Sequence, residues 1–171
     1  GSAIKTLSGT ILARGFFAAE LSSARLNNTG DLVVLKNAQD VILDQVAYGS
    51  WDDGQTADNA PNPSAGQSVA RKSNGVDTNH DNADFAVSDM VTYGASNVIQ
   101  VTTTKIQSGT NMIFSSGAVP LPKIAINEFV VGSEKEPGWV ELYLGGEVSM
   151  DLEGWYLENG AENKTSLNGV F

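Results

Sequence analysis

The most constraining feature of the sequence is a stretch near its end in which apolar and polar residues alternate. Residues 123–157 read KIAINEFVVGSEKEPGWVELYLGGEVSMDLEGWYL. The clearest alternation places three aliphatic side chains on one side of an extended chain, at Val140, Leu142 and Leu144. An alternation with a period of two residues is typical of a half-buried strand. Three such segments, separated by loops that contain glycine, predict one edge of a β-sandwich.

This stretch contains three short motifs. They are I-x-I-N-E from Ile124, W-V-E-L-Y from Trp139 and D-L-x-G-W-x-L from Asp151. In this order and spacing they resemble the opening half of a lamin-tail domain. The resemblance implies an all-β, immunoglobulin-like and non-catalytic module. Such modules form the tails of nuclear lamins and accessory domains of secreted bacterial and archaeal proteins.

The first part of the chain resembles the closing half of the same family. The matching segments are RLNNTGD, LVVL, DQVAYG, VARK, DTNHDNADF and TYGASN, which lie in this order between residues 25 and 97. The last segment has Tyr93 where the family usually has proline. The halves therefore occur in reversed order. Residues 1–97 are interpreted as the closing half and residues 123–171 as the opening half, with a linker at 98–122 that holds a strand-like alternation at 98–106.

Half of a β-sandwich cannot stay exposed in water, because it presents an apolar face and unpaired strand edges. Two arrangements satisfy this requirement: the halves close on each other within one chain as a circular permutant, or each half completes a neighbouring molecule by strand exchange. The two ends of the sequence also resemble each other, with KTLSGTI at residues 5–11 and KTSLNGV at residues 164–170. This internal similarity is typical of a tandem array.

Composition excludes several classes of function. The formal net charge of −10 disfavours binding to nucleic acid, because phosphate backbones repel an acidic surface. The chain has no cysteine, which excludes disulfides and thiolate metal sites. The sequence holds no apolar run long enough to insert into a membrane.

An acidic loop is the strongest candidate for a metal site. Residues 77–84 read DTNHDNAD, and the oxygen-bearing side chains considered as ligands are Asp77, Asn79, Asp81 and Asp84. Calcium prefers six to eight hard oxygen ligands, and this spacing can wrap around one ion. The alternative is a loop in which aspartate and asparagine side chains accept hydrogen bonds from nearby backbone amides.

A second candidate site lies in the long loop after residue 49. Trp51 stands beside Asp52 and Asp53, and an aromatic ring next to carboxylates can stack on a sugar. The alternative is that Trp51 folds over the end of the sandwich, since burial of an aromatic ring is favourable.

Two glutamates and one histidine are candidates for catalysis. Glu128 and Glu141 lie within the strand motifs, which favours hydrogen bonds or salt bridges, with Arg71 or Arg25 as candidate partners. His80 is the only histidine, and no G-x-S-x-G motif accompanies it. The sequence therefore favours a protein that is not an enzyme.

The sequence favours an extracellular or cell-surface module that self-associates with neighbouring copies or binds other surface proteins. The alternative is a calcium-stabilised accessory domain of a secreted enzyme that binds a ligand or carbohydrate through Trp51, Asp52 and Asp53.

Overall fold

A computed structural model describes residues 2–22, 25–99, 124–133 and 135–160. The expected linker at 98–122 and its strand at 98–106 lie almost wholly outside the described residues. Within these ranges no helix is long and apolar enough to cross a membrane.

The described residues form eleven β-strands, a short 3-10 turn and one turn of α-helix. The strands are β1 (Ser2–Thr6), β2 (Thr10–Ile11), β3 (Phe16–Glu20), β4 (Gly30–Lys36), β5 (Ile42–Gly49), β6 (Ser68–Arg71), β7 (Phe85–Ser88), β8 (Ala125–Val130), β9 (Trp139–Tyr143), β10 (Met150–Asp151) and β11 (Tyr156–Asn159). The 3-10 turn spans Thr56–Asp58 and the helical turn, α1, spans Asp81–Asp84. The prediction of an all-β chain is confirmed.

The strands pair antiparallel in two large sheets and one small one. The four-stranded sheet has the order β1-β11-β4-β5, and the five-stranded sheet has the order β3-β9-β8-β6-β7. Strands β10 and β2 form a separate two-stranded ribbon. Antiparallel sheets that share one apolar core are consistent with a β-sandwich.

Front and rear parts of the chain contribute strands to both large sheets. In the four-stranded sheet, β11 lies between β1 and β4, and Leu157 is opposite Leu35. In the five-stranded sheet, β9 and β8 lie between β3 and β6, and Phe17 is opposite Leu142. Strands from residues 2–88 and 125–159 therefore share their ladders within one chain.

Inward-facing side chains from both parts fill one core. Its fully enclosed members include Ile11, Val33, Leu35, Val46, Tyr48, Val69, Ile126, Phe129, Val140, Leu142, Leu152 and Leu157. Trp155 packs against this core.

Strand β5 departs from a simple two-residue alternation at its first residue. The sequence places Ile42 on the same side as Asp44, Val46 and Tyr48, which are buried, but Ile42 is 52% exposed. The register between β4 and β5 shifts after Leu35, so that Lys36 pairs with Ile42. A bulge of this kind adds one residue to a strand and turns the following side chain to the other face.

Candidate functional site

A buried arginine joins the two large sheets. Arg71 on β6 is 0% exposed, and its Nη2 lies 3.0 Å from Oδ2 of Asp44 on β5. Nη1 donates to Oδ2 of Asp84 at 3.1 Å, and Nε donates to the carbonyl oxygen of Ile126 on β8 at 2.7 Å. The guanidinium carbon lies 4.5 Å from the centre of the Phe85 ring. These residues and Asp77 are called the Arg71 cluster.

Burial dominates the electrostatics of Asp44. It raises the pKa of this carboxyl to about 6, although the positive charge of Arg71 acts in the opposite direction. Oδ2 of Asp44 also accepts a hydrogen bond from the backbone N–H of Ile126 at 2.7 Å. This carboxylate therefore connects β5 to β6 and β8.

The acidic loop divides its four predicted ligands between two places. Asp84 accepts hydrogen bonds from Arg71 and from the backbone and hydroxyl of Thr78, the latter two at 2.7 Å. Asp77 lies 3.7 Å from Nη1 of Arg71. Asn79 and Asp81 instead line a small cleft. Among the described residues, no group of three or more His, Cys, Asp or Glu side chains is placed to hold a metal ion.

That cleft, called the acidic cleft, has a volume of about 120 Å³. It is lined by Gln45, Ala47, Asp53, Gln55, Asp58, Asn59, Asn79 and Asp81. Oδ2 of Asp81 accepts a hydrogen bond from the backbone N–H of Ala47 at 2.7 Å, while burial raises the pKa of Asp81 to about 7. His80 forms an exposed pair with Asp58 at 3.2 Å. The fold therefore brings Asp53 from the tryptophan loop next to Asn79 and Asp81 from the acidic loop.

A larger concavity lies on the outer face of the four-stranded sheet. Its volume is about 780 Å³, and Trp51 and Asp52 lie among its lining residues. Leu32 and Val34 form part of its floor, because they alternate along β4 with Val33 and Leu35, which belong to the core. We call it the Trp51 groove.

Three features of the Trp51 groove are specific. Nζ of Lys36 lies 2.8 Å from Oε2 of Glu158. The lining therefore includes an ion pair whose charges cancel. The Trp51 ring packs directly on Gly160, where an added Cβ would lie 2.4 Å from the ring atom Cη2. Nε1 of Trp51 and Oδ1 of Asn159 are buried and have no hydrogen-bond partner among the residues that the structure describes. Trp51 thus folds over the end of the sheet and also lines the groove.

A second buried polar cluster lies where β8 and β9 meet a covering loop. Asn127, Glu128 and Glu141 are each 0% exposed. The pairing of β8 with β9 shifts register between Ile126 and Glu128, which marks Asn127 as a bulge residue. Asn127 Nδ2 donates to Oε1 of Glu141 at 3.1 Å.

The covering loop, residues 89–98, binds these glutamates directly. Thr92 Oγ1 donates to Oε2 of Glu128 at 2.5 Å, and the Gly94 N–H donates to Oε2 of Glu141 at 2.6 Å. We call these five residues the glutamate cluster. The predicted hydrogen-bonding role of both glutamates is confirmed, whereas the arginines lie elsewhere: Arg71 binds aspartates and Arg25 binds Ser22.

Burial raises the pKa of Glu141 to about 7. The hydrogen bonds from Asn127 and Gly94 act against this shift, and the neighbouring charge of Glu128 adds to it. Glu141 is therefore costly to ionise, although the donors around it are oriented toward its carboxylate oxygens.

Sequence reasoning did not identify the roles of Arg71, Asp58 and Thr92. All three act across long separations in the chain, so local spacing carries little information about them. The one available signal concerned Arg71 and Thr92, which lie in VARK and TYGASN, two motifs of the closing half.

Comparison with models of known protein families, with curated proteins and with solved structures finds no match. The resemblance to lamin-tail domains therefore stays a prediction that depends on the motifs.

Proposed function

We propose that this chain is a non-catalytic interaction module of the lamin-tail, immunoglobulin-like type, with its two halves in reversed order. It acts outside the cell or at the cell surface by associating with copies of itself or with other surface proteins. The observation that carries the proposal is the sharing of both large sheets by front and rear strands. Neither half has a complete sheet without the other, so each half is a binding partner for the other.

The same ladders are available between molecules. The front half of one copy can pair with the rear half of a second copy. It uses the same strand edges that it uses within its own chain. Strand exchange of this kind produces closed dimers or open filaments, according to the geometry of the connection. The buried glutamates support a non-catalytic role, because their oxygens accept structural hydrogen bonds from the covering loop.

Light scattering after size-exclusion chromatography tests this proposal over a range of loading concentrations. We expect species heavier than the 18.0 kDa chain, with a fraction that rises with concentration. Denaturing and refolding a mixture of tagged and untagged copies should yield mixed species. A constant mass of one chain at every concentration, before and after refolding, would contradict self-association.

The Trp51 groove favours a second candidate function, the binding of a carbohydrate by an accessory domain. An indole ring supplies a face for a sugar, while Gln45, Ser50 and Asp52 supply polar groups in the same lining. A glycan array tests this function. We expect a signal that Trp51→Ala abolishes and that Tyr93→Ala retains, because Tyr93 is an exposed aromatic residue that lies outside the lining of the groove. Absence of any signal from the unmodified chain would reject it.

Calcium is the cofactor proposed for this second function. Because Asp77 and Asp84 face Arg71, an ion would sit in the acidic cleft with Asn79, Asp81 and Asp53. Binding to the folded state raises stability by about 2.7 kcal/mol when calcium is at 100 times its dissociation constant. We expect calcium to raise Tm in the unmodified chain and in Asp89→Asn, but not in Asp81→Asn. An unchanged Tm in all three would reject the cofactor.

A further inference from the structure

The side chains of β9 that point away from the core are covered by other parts of the chain. Val140 and Leu142 belong to the core, so Trp139, Glu141 and Tyr143 lie on the opposite face of the strand. Glu141 is nevertheless 0% exposed. The residues that cover this outer face come from the front half, residues 1–97, whereas β9 belongs to the rear half.

The covering loop contacts two of these three side chains. The Tyr93 ring meets the Trp139 ring edge-on, with 5.2 Å between the ring centres. The next residue, Gly94, donates its backbone N–H to Oε2 of Glu141 at 2.6 Å. Neighbouring positions of one front-half loop therefore contact alternate positions of one rear-half strand.

A second front-half turn, residues 73–76, contacts the third side chain. An added Cβ at Gly75 would lie 2.5 Å from Cδ1 of Tyr143, and Gly75 has φ +66°, so this close approach requires glycine. The Gly75 N–H also donates to Oδ1 of Asn127 on β8 at 3.3 Å, and Asn127 Nδ2 donates to Oδ1 of Asn97 at 3.0 Å. This turn and the covering loop thus contact β8 and β9 together.

The glutamate cluster is divided between the two halves of the chain. Glu128 lies opposite Glu141 in the pairing of β8 with β9, so both carboxylates belong to the rear half. Oε2 of Glu128 accepts hydrogen bonds from the hydroxyl of Thr92 at 2.5 Å and from its backbone N–H at 3.1 Å. The front half therefore supplies donors to both carboxylates through Thr92 and Gly94.

These outer contacts discriminate between partners better than the core does. Apolar contacts are not directional, so an inner face accepts different side chains of similar volume. Hydrogen bonds depend on distance and angle, and a buried donor or acceptor without its partner destabilises the structure. A rear half that lacks either carboxylate leaves donors of the covering loop without acceptors, and such a mismatch produces specificity.

We propose that the covering loop and the 73–76 turn form a recognition surface with which a front half selects its rear half. The surface accepts a pair of strands that carries carboxylates at Glu128 and Glu141, whether these strands come from the same chain or from a second copy. This inference rests on the proposed self-association and names the surface that would select the partner.

Two single variants of the full chain test the selection. Thr92→Val removes a donor from the front half, and Glu128→Met removes the acceptor from the rear half. In a strand-exchanged dimer with one copy of each variant, one interface has both native groups and the other lacks both. Each pure dimer instead has two mismatched interfaces. Because the loss of one partner costs more than the loss of both, the mixed dimer should be favoured.

Native mass spectrometry measures this preference after the two variants, with tags of different mass, are denatured, mixed and refolded. We expect the mixed dimer to exceed each pure dimer by about tenfold or more, whereas random exchange gives about twofold. The matched control is Thr56→Val mixed with Glu153→Met, which makes the same chemical changes at exposed positions of the front and rear halves. We expect this control pair to mix at random.

Random proportions in the Thr92 and Glu128 pair would overturn the inference, although the dimers themselves would still support self-association. If every mixture contains only the 18.0 kDa chain, self-association is rejected and urea unfolding decides the inference. We then expect Thr92→Val with Glu128→Met in one chain to raise the unfolding constant no more than the more severe single change does. A rise equal to the product of the two single effects would overturn it.

Discussion

The Arg71 cluster and the glutamate cluster solve the same problem of buried charge by different means. In the Arg71 cluster, one guanidinium lies within 3.1 Å of oxygens from both Asp44 and Asp84, so opposite charges face each other. In the glutamate cluster, Glu128 and Glu141 accept hydrogen bonds from a hydroxyl, backbone N–H groups and an amide. The first cluster depends on an ion pair, and the second depends on oriented dipoles supplied by a loop.

The difference in partners implies a difference in what each cluster holds together. Arg71 connects β5 of one sheet to β6 and β8 of the other, so its loss affects the whole core. The glutamates connect β8 and β9 to the covering loop at residues 89–98, so their loss affects mainly that loop. Three changes test this contrast, from the largest expected effect to the smallest.

Arg71→Met should have the largest effect. Removing one partner of a buried ion pair leaves an uncompensated buried charge and costs about 3–5 kcal/mol. Urea unfolding measures the loss in free energy of unfolding. The matched control is Arg14→Met, whose ion pair with Glu147 is exposed on both sides and should cost far less. Similar losses in the two variants would show that Arg71 is not central to the core.

Thr92→Val should have an intermediate and local effect. It removes the hydroxyl that donates to Glu128, and hydrogen bonds to charged groups contribute about 1.5–3 kcal/mol. We expect faster hydrogen exchange in residues 89–98 and little change in β4 and β5. Thr56→Val, at an exposed position, is the control. If hydrogen exchange became faster to the same extent throughout both sheets, the proposed difference between the two clusters would be wrong.

The pH dependence of stability should show the smallest effect, and its sign is specific. The pKa of Glu141 rises from 4.5 to about 7 on folding, so the folded protein binds a proton more tightly than the unfolded chain. Its contribution to stability is complete below pH 4.5 and is lost as the pH rises through about 7. The raised pKa values of Asp81 and Asp44 act in the same direction.

We therefore expect Tm to fall as the pH rises from about 5 to about 8. Glu141→Gln removes one titrating group and should flatten this dependence, whereas Glu153→Gln, at an exposed position, should leave it unchanged. A Tm that rises over this interval in the unmodified chain would contradict the assignment of the raised pKa values.

Sequence patterns predicted the strands better than the contacts between them. The alternation around Val140, Leu142 and Leu144 is local, and the structure buries all three side chains. The sequence of residues 11–17, ILARGFF, predicts one strand with a bend at Arg14 and Gly15. The structure divides them between β2 and β3, with Arg14 at φ 52° between the two.

The candidate site was harder to predict because its members come from distant segments. The spacing of Asp77, Asn79, Asp81 and Asp84 fits either a calcium loop or a loop that accepts internal hydrogen bonds. The side chain that attracts Asp77 and Asp84 is Arg71, whose position is fixed by β6 and by its bond to Asp44, 27 residues earlier. Local sequence could not distinguish a bound cation from an arginine, since both offer positive charge to the same oxygens.

The central claim is that front and rear strands of one chain share the same sheet, and one disulfide tests it directly. Ala19 on β3 lies opposite Val140 on β9, and both side chains are buried. We expect Ala19→Cys with Val140→Cys to oxidise within a single chain in dilute solution, so that a non-reducing gel of samples oxidised at low protein concentration shows a monomer. Thiols that stay reduced, or a disulfide that joins two chains even in dilute solution, would contradict a sheet closed within one molecule.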